Sequence, residues 1–90
     1  MNTLDKDLTN FYKTISSHVK KLREEKGLTQ LEPSQQMNFN SVGLIGQAEI
    51  YYNNQHFSLK YLYMMAAILE CRIEDFFKGV ELTSLDLDIN

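Results

Sequence analysis

Between Leu8 and Leu22 the apolar side chains fall at Leu8, Phe11, Ile15, Val19 and Leu22, at intervals of three and four residues. That interval returns side chains to one face of an α-helix, so the stretch reads as an amphipathic helix with a core to cover. Thr9 or Asn10 supplies a capping oxygen for its start, and Gly27 stands where a left-handed residue ends it, which predicts a helix over 10–26. Its outer face carries Lys13, Lys20, Lys21, Arg23 and Lys26. Taken alone, these cations read as a solvated face partly neutralised by Glu24 and Glu25.

The remaining chain continues in the same key. Thr29 followed by Glu32 has the spacing of a capping box, predicting a second helix from Gln30. Pro33 near its start removes an early amide and predicts a short, irregular element. The NFN stretch at 38–40 is a tight connector in which Asn40 can cap the next helix. From Ser41 to about Tyr52, Leu44 or Ile45, Ala48 and Tyr51 or Tyr52 share one helical face, with Ser41, Gly43, Gly46, Gln47 and Ile50 on or near the other. Two glycines cost such a helix about 1 kcal/mol each against alanine, a defect that makes sense where another surface comes close or where packing overrides it. After the polar loop NNQHF, Ser58 caps SLKYLYMMAAILE, whose Leu59, Leu62, Met65, Ala66 and Leu69 form a stripe. IEDFF then offers Ile73, Phe76 and Phe77 to the core as a short fifth helix. Only the tail alternates, LDLDI placing Leu85, Leu87 and Ile89 as a half-buried strand would; it is either disordered or a pairing strand.

These elements predict an all-α domain of five helices, with 1–9 as an N-terminal extension, 10–78 as the domain and 79–90 as an acidic tail. Ninety residues leave no room for a separate catalytic domain, and a 43% hydrophobic composition with five Tyr and five Phe supports one core. No segment has the unbroken apolar length of a membrane span, and MNTLDKDLTN lacks the regions of a signal peptide, so a cytoplasmic location and no membrane partner are expected. Cys71 alone cannot form an internal disulfide and reads as a small core residue. His18 and His56 are scattered, so neither a metal site nor a cofactor is expected, and no nucleophile constellation or phosphate-binding loop points to an enzyme. Tyr51, Tyr52, Tyr61 and Tyr63 read as core or interface residues, and His56 as part of a loop.

The order of elements, together with LREEKGLTQ at 22–30 and SLKYLYMMAAILECRIEDFF at 58–77, resembles the helix-turn-helix family of phage repressors and Cro, the xenobiotic-response-element type. The resemblance spans roughly residues 15–77. Pro33, Glu70 and Arg72 depart from it, standing where the family has an aliphatic residue, a glycine or polar turn residue, and a Ser or Asp cap. The glutamate expected near the end of the third helix is displaced by one position, to Glu49.

The resemblance implies a lambda-repressor-like fold and sequence-specific binding to double-stranded DNA, with repression by a homodimer through helices 2 and 3. It implies base contacts from Ser41, Val42 and Gln47, and backbone contacts from Gln30, with Lys20, Lys21, Asn40, Asn53, Asn54 and Gln55 around them. It further implies that Arg23 pairs with Glu49 as a brace for the recognition helix. Glutamine can bond N6 and N7 of adenine, serine can donate or accept, and valine can meet a thymine methyl, none of which needs a charge. Nine Lys and Arg against twelve Asp and Glu, with no cation between Lys26 and Lys60, is an unusual balance for a nucleic-acid binder. It leaves open a second reading, a helix-turn-helix domain repurposed to bind protein. With no second domain for a small effector, a regulatory protein is a further expected partner. Met64, Met65, Phe76, Phe77, Leu82 and Leu85 exceed what a small core hides, predicting a dimer surface on the fifth helix and tail.

Overall fold

Helix α1 runs Thr3–Glu25 in the computed structural model, which describes residues 3–37 and 43–80. It starts at Thr3 and not at Asn10, so the described part of the expected 1–9 extension forms the first turns of the helix. Asp5 lies in that first turn, where the positive end of the helix dipole favours a carboxylate, and this outweighs the cap signals at Thr9 and Asn10. Ile15 and Val19 are buried and Phe11 and Leu22 half-buried, as the spacing requires, whereas Leu8 is exposed. The helix ends on Gly27 at φ +73°, with Gly27 N–H donating to the Glu24 carbonyl and Leu28 N–H to that of Arg23. This reciprocal pair satisfies two orphan carbonyls at the helix end.

Helix α2, Leu31–Gln36, is as short as Pro33 predicts, and Pro33 and Ser34 are buried. The capping box does not form: Gln30 is the N-cap, its side chain makes no capping bond, and its amide is used elsewhere. Helix α3, described over Gly43–Glu49, ends before the expected Tyr52, and buries Ile45, Ala48 and Glu49 while Leu44 faces out. It stops because Tyr51 turns left-handed, φ 57° and ψ 34°, leading into a 3-10 turn at Tyr52–Asn54, across the expected boundary between the third helix and the polar loop NNQHF.

Ser58 caps helix α4, Leu59–Leu69, its oxygen accepting from Tyr61 N–H. Leu62, Met65, Ala66 and Leu69 are buried, but Leu59, expected on their stripe, is exposed at the first position of the helix. Glu70 takes the left-handed position after α4 at φ 53°, the place glycine holds after α1, and Cys71 N–H reaches the Ala66 carbonyl. Cys71 is half-buried, and burial foremost raises the pKa of its thiol. The fifth element is a 3-10 turn, Ile73–Phe77, instead of an α-helix. Asp75 caps it in place of Arg72, its Oδ2 accepting from Arg72 N–H at 3.1 Å while the Arg72 guanidinium pairs with Glu74. Phe76 fills the core, Ile73 stays at the surface, and His18 Nδ1 donates to the Phe76 carbonyl at 2.8 Å, tying this turn to α1.

The described chain is thus all-α, with four α-helices and two 3-10 turns around a core shared by α1, α3, α4 and Phe76. The expected connector at 38–40, the start of the third helix at Ser41 and Val42, and the tail from Glu81 lie outside the described residues. No described helix is long and apolar enough to cross a membrane.

Candidate nucleic-acid interface

The site is assembled around α3 by three elements. Arg23, in the last turn of α1, points at Glu49, the last residue of α3. Nε donates to Oε2 at 2.6 Å and Nη2 to Oε1 at 3.1 Å, while Nη1 donates to the Leu28 carbonyl at 2.6 Å. The side chains are 8% and 0% exposed, so both charges are withdrawn from water and each is met by its partner in fork geometry. The bond to Glu49 raises the guanidinium pKa above its ordinary value despite burial, and Arg23 stays charged. The two residues that the sequence resemblance pairs are therefore in contact.

Gln30 completes the cluster from the N-cap of α2. Its Nε2 donates to Glu49 Oε1 at 3.0 Å, and its amide lies over Gly46, where a Cβ would stand 3.1 Å from Oε1. This close approach is the surface that the glycine in mid-helix anticipates. It also changes the part expected of Gln30, because one side-chain hydrogen is committed to Glu49 instead of an external phosphate.

Gln47 is half-buried on α3, with Leu44 and Ile50 exposed at 44% and 62%, and Leu31 of α2 and Tyr52 are exposed as well. Of the expected backbone contacts, Lys21 is exposed and Lys20 half-buried. Lys20 lies three residues before Arg23, hence on the same side of α1. Asn53 and Asn54 are exposed in the 3-10 turn with φ of 54° and 64°, and Gln55 is half-buried. Asn40, Ser41 and Val42 lie outside the described residues. Cations are sparse: Arg23 is neutralised, and Lys26 Nζ stands 3.6 Å from Glu70.

One arrangement escaped the reading of the sequence. Tyr12 of α1 stacks on His56 with centroids 3.9 Å apart, and Tyr51 lies nearly parallel to Tyr12 at 6.0 Å. His56 Nδ1 also donates to the Asn54 carbonyl. Three rings from distant positions thereby pin the segment that follows α3 against α1. Tyr12 lies four residues after Leu8 and three before Ile15, on the flank of the apolar stripe, so its spacing as well as its aromatic character signalled a partner.

Among the described residues no group of three or more His, Cys, Asp or Glu has the arrangement to hold a metal ion. Comparison with protein-family models, with curated proteins and with solved structures finds no match.

Proposed function

We propose that the chain is a helix-turn-helix, lambda-repressor-like regulator that binds double-stranded DNA as a homodimer and represses by occupying its site. The observation that carries this reading is the cluster of buried Arg23 and Glu49 with half-buried Gln30, which fixes α3 to both α1 and α2 and, among the described residues, leaves the outer side of α3 uncovered. A recognition element needs that rigidity, because base contacts depend on side chains held to a fraction of an ångström. Gln47 is the adenine reader, Ser41 and Val42 complete the base contacts, and the apolar Leu44 and Ile50 suit thymine methyl groups. Lys20, Lys21, Asn40, Asn53, Asn54 and Gln55 supply the sugar-phosphate contacts, with the second side-chain hydrogen of Gln30. Only Lys20 and Lys21 among these are cations, so the slope of log K against log salt is about −2 per subunit at about 0.9 per neutralised phosphate.

The test is selection of bound sequences from random duplexes followed by fluorescence anisotropy at about 50 and 200 mM salt, where the expected slope makes binding readable. Enrichment of a two-fold motif, weakened by salt and lost in Gln47→Ala, is the expected result. Absence of retained duplex at the lower salt sinks the proposal.

One observation favours a second reading. Leu31 of α2, Leu44 of α3 and Ile50 just after it are exposed apolar side chains, and the chain has no Lys or Arg between 26 and 60. Such side chains suit a protein partner better than a polyanion, and they make a repurposed helix-turn-helix module the alternative. If duplex binding fails and Ile50→Lys creates it, the surface was built for protein and lacked only charge.

A further inference from the structure

We propose that the outer face of α4 is a self-complementary surface on which a second copy of this chain docks antiparallel, through two reciprocal Lys60–Glu70 pairs flanking Tyr63 and Ala67. Between Leu59 and Leu69 the only polar side chain other than the tyrosine hydroxyls is that of Lys60. The helix buries Leu62, Met65, Ala66 and Leu69, yet Leu59 and Tyr63 remain 75% and 73% exposed, and Ala67 is exposed between them and Glu70. A helix that is apolar on its solvent side as well as its core side is built to be covered on both.

The charges name the occupant. Lys60 begins this face and Glu70 ends it, ten residues or about 15 Å later at 1.5 Å per residue. Two such helices running antiparallel about a two-fold axis set Lys60 against Glu70 of the mate at both ends. The same register sets the large Tyr63 against the small Ala67. Residue i meets j and j meets i, the condition for an isologous contact. A parallel arrangement would oppose like charges at both ends. Lys60 lies 5.7 Å from the neighbouring Tyr61 ring and forms no ion pair among the described residues, and Glu70 is held only by the loose contact to Lys26, so both are available.

One face of an 11-residue helix is small beside the roughly 800 Å² per partner of a stable interface, so the contact is weak by itself, with a dissociation constant on the order of 100 μM. It places the dimer surface on α4, a different element from the 3-10 turn and tail that the sequence suggested. It stands apart from the DNA reading, since self-association is measured without nucleic acid and either proposal can fail alone.

The experiment is sedimentation equilibrium of the full chain up to about 1 mM, ten times the expected constant, with circular dichroism to verify folding. Lys60→Glu and Glu70→Lys should each weaken dimerisation at least fivefold, and the double variant Lys60→Glu/Glu70→Lys should return it to within about twofold of the parent. Tyr63→Asp, at an exposed position, should abolish it with the helical signal intact. A parent that stays monomeric throughout, a dimer indifferent to Tyr63→Asp, or a double variant no better than the singles overturns the proposal.

Discussion

Arg23 and Glu49, 26 positions apart, meet in a bidentate ion pair with neither side chain a tenth exposed. The pair joins the end of α1 to the end of α3. Removing one member strands the other charge away from water, at a cost of about 3–5 kcal/mol, whereas apolar replacement of both is often close to neutral. Arg23→Met and Glu49→Leu should therefore each lower the unfolding free energy by about that amount, and the double variant should recover to within about 1 kcal/mol of the parent. Urea denaturation of the four proteins measures the cycle; additive losses would mean that the charges do not act as a pair. DNA binding by the double variant is a separate question, because apolar packing need not hold α3 at the same angle.

Gly46 lets Gln30 lie against α3. Alanine there gains about 1 kcal/mol of helix propensity but places its Cβ against the flexible end of Gln30, pushing the amide off Glu49. Gly46→Ala should thus be near neutral in the parent and stabilising by about 1 kcal/mol in a Gln30→Ala background. Equal effects in both backgrounds would show that the contact carries no energy.

Sequence made the helices legible where periodicity was strong and capping unambiguous. Ile15 and Val19 of α1, and Leu62, Met65 and Leu69 of α4, are buried as their spacing requires. The ends of α1 and α3 were harder. A cap at Thr9 or Asn10 is a local option that the longer helix simply runs through, and nothing in QAEIYYNN marks Tyr51 as the residue that turns left-handed. The pairing of Arg23 with Glu49 entered through resemblance, since no local rule joins positions so far apart. Two glycines hinted at a close approach, but not that Gln30 would make it. Leu59 shows the opposite failure: periodicity placed it on the buried stripe, and its place at the first turn of α4 left it in solvent.

Asp75 links the last turn to pH. Its carboxyl is held below the ordinary value of 3.8, first by the bond from Lys78 and then by that from Arg72 N–H. A carboxyl whose pKa falls on folding favours the folded state above its unfolded value, and that contribution is lost as pH drops through the lowered one. The stability gap between the parent and Asp75→Asn should therefore be widest above the ordinary carboxyl value of 3.8 and close as the pH falls below it. Thermal melts across that range measure it, and a gap constant with pH would remove the carboxylate from the account.

Tyr51 carries the last prediction. At φ 57° a bulky side chain sits in a conformation that costs an L-residue about 1–2 kcal/mol, and the stack with Tyr12 at 6.0 Å opposes that cost. Alanine loses the stack and keeps the strain, whereas glycine loses the stack and sheds the strain. In a helix interior glycine is the worse of the two by about 1 kcal/mol; here Tyr51→Gly should be more stable than Tyr51→Ala by about that amount. Urea midpoints decide the sign. If alanine proves the better, α3 continues through Tyr51 in solution, and the outward side that reads a partner is a turn longer than Gly43–Glu49 provides.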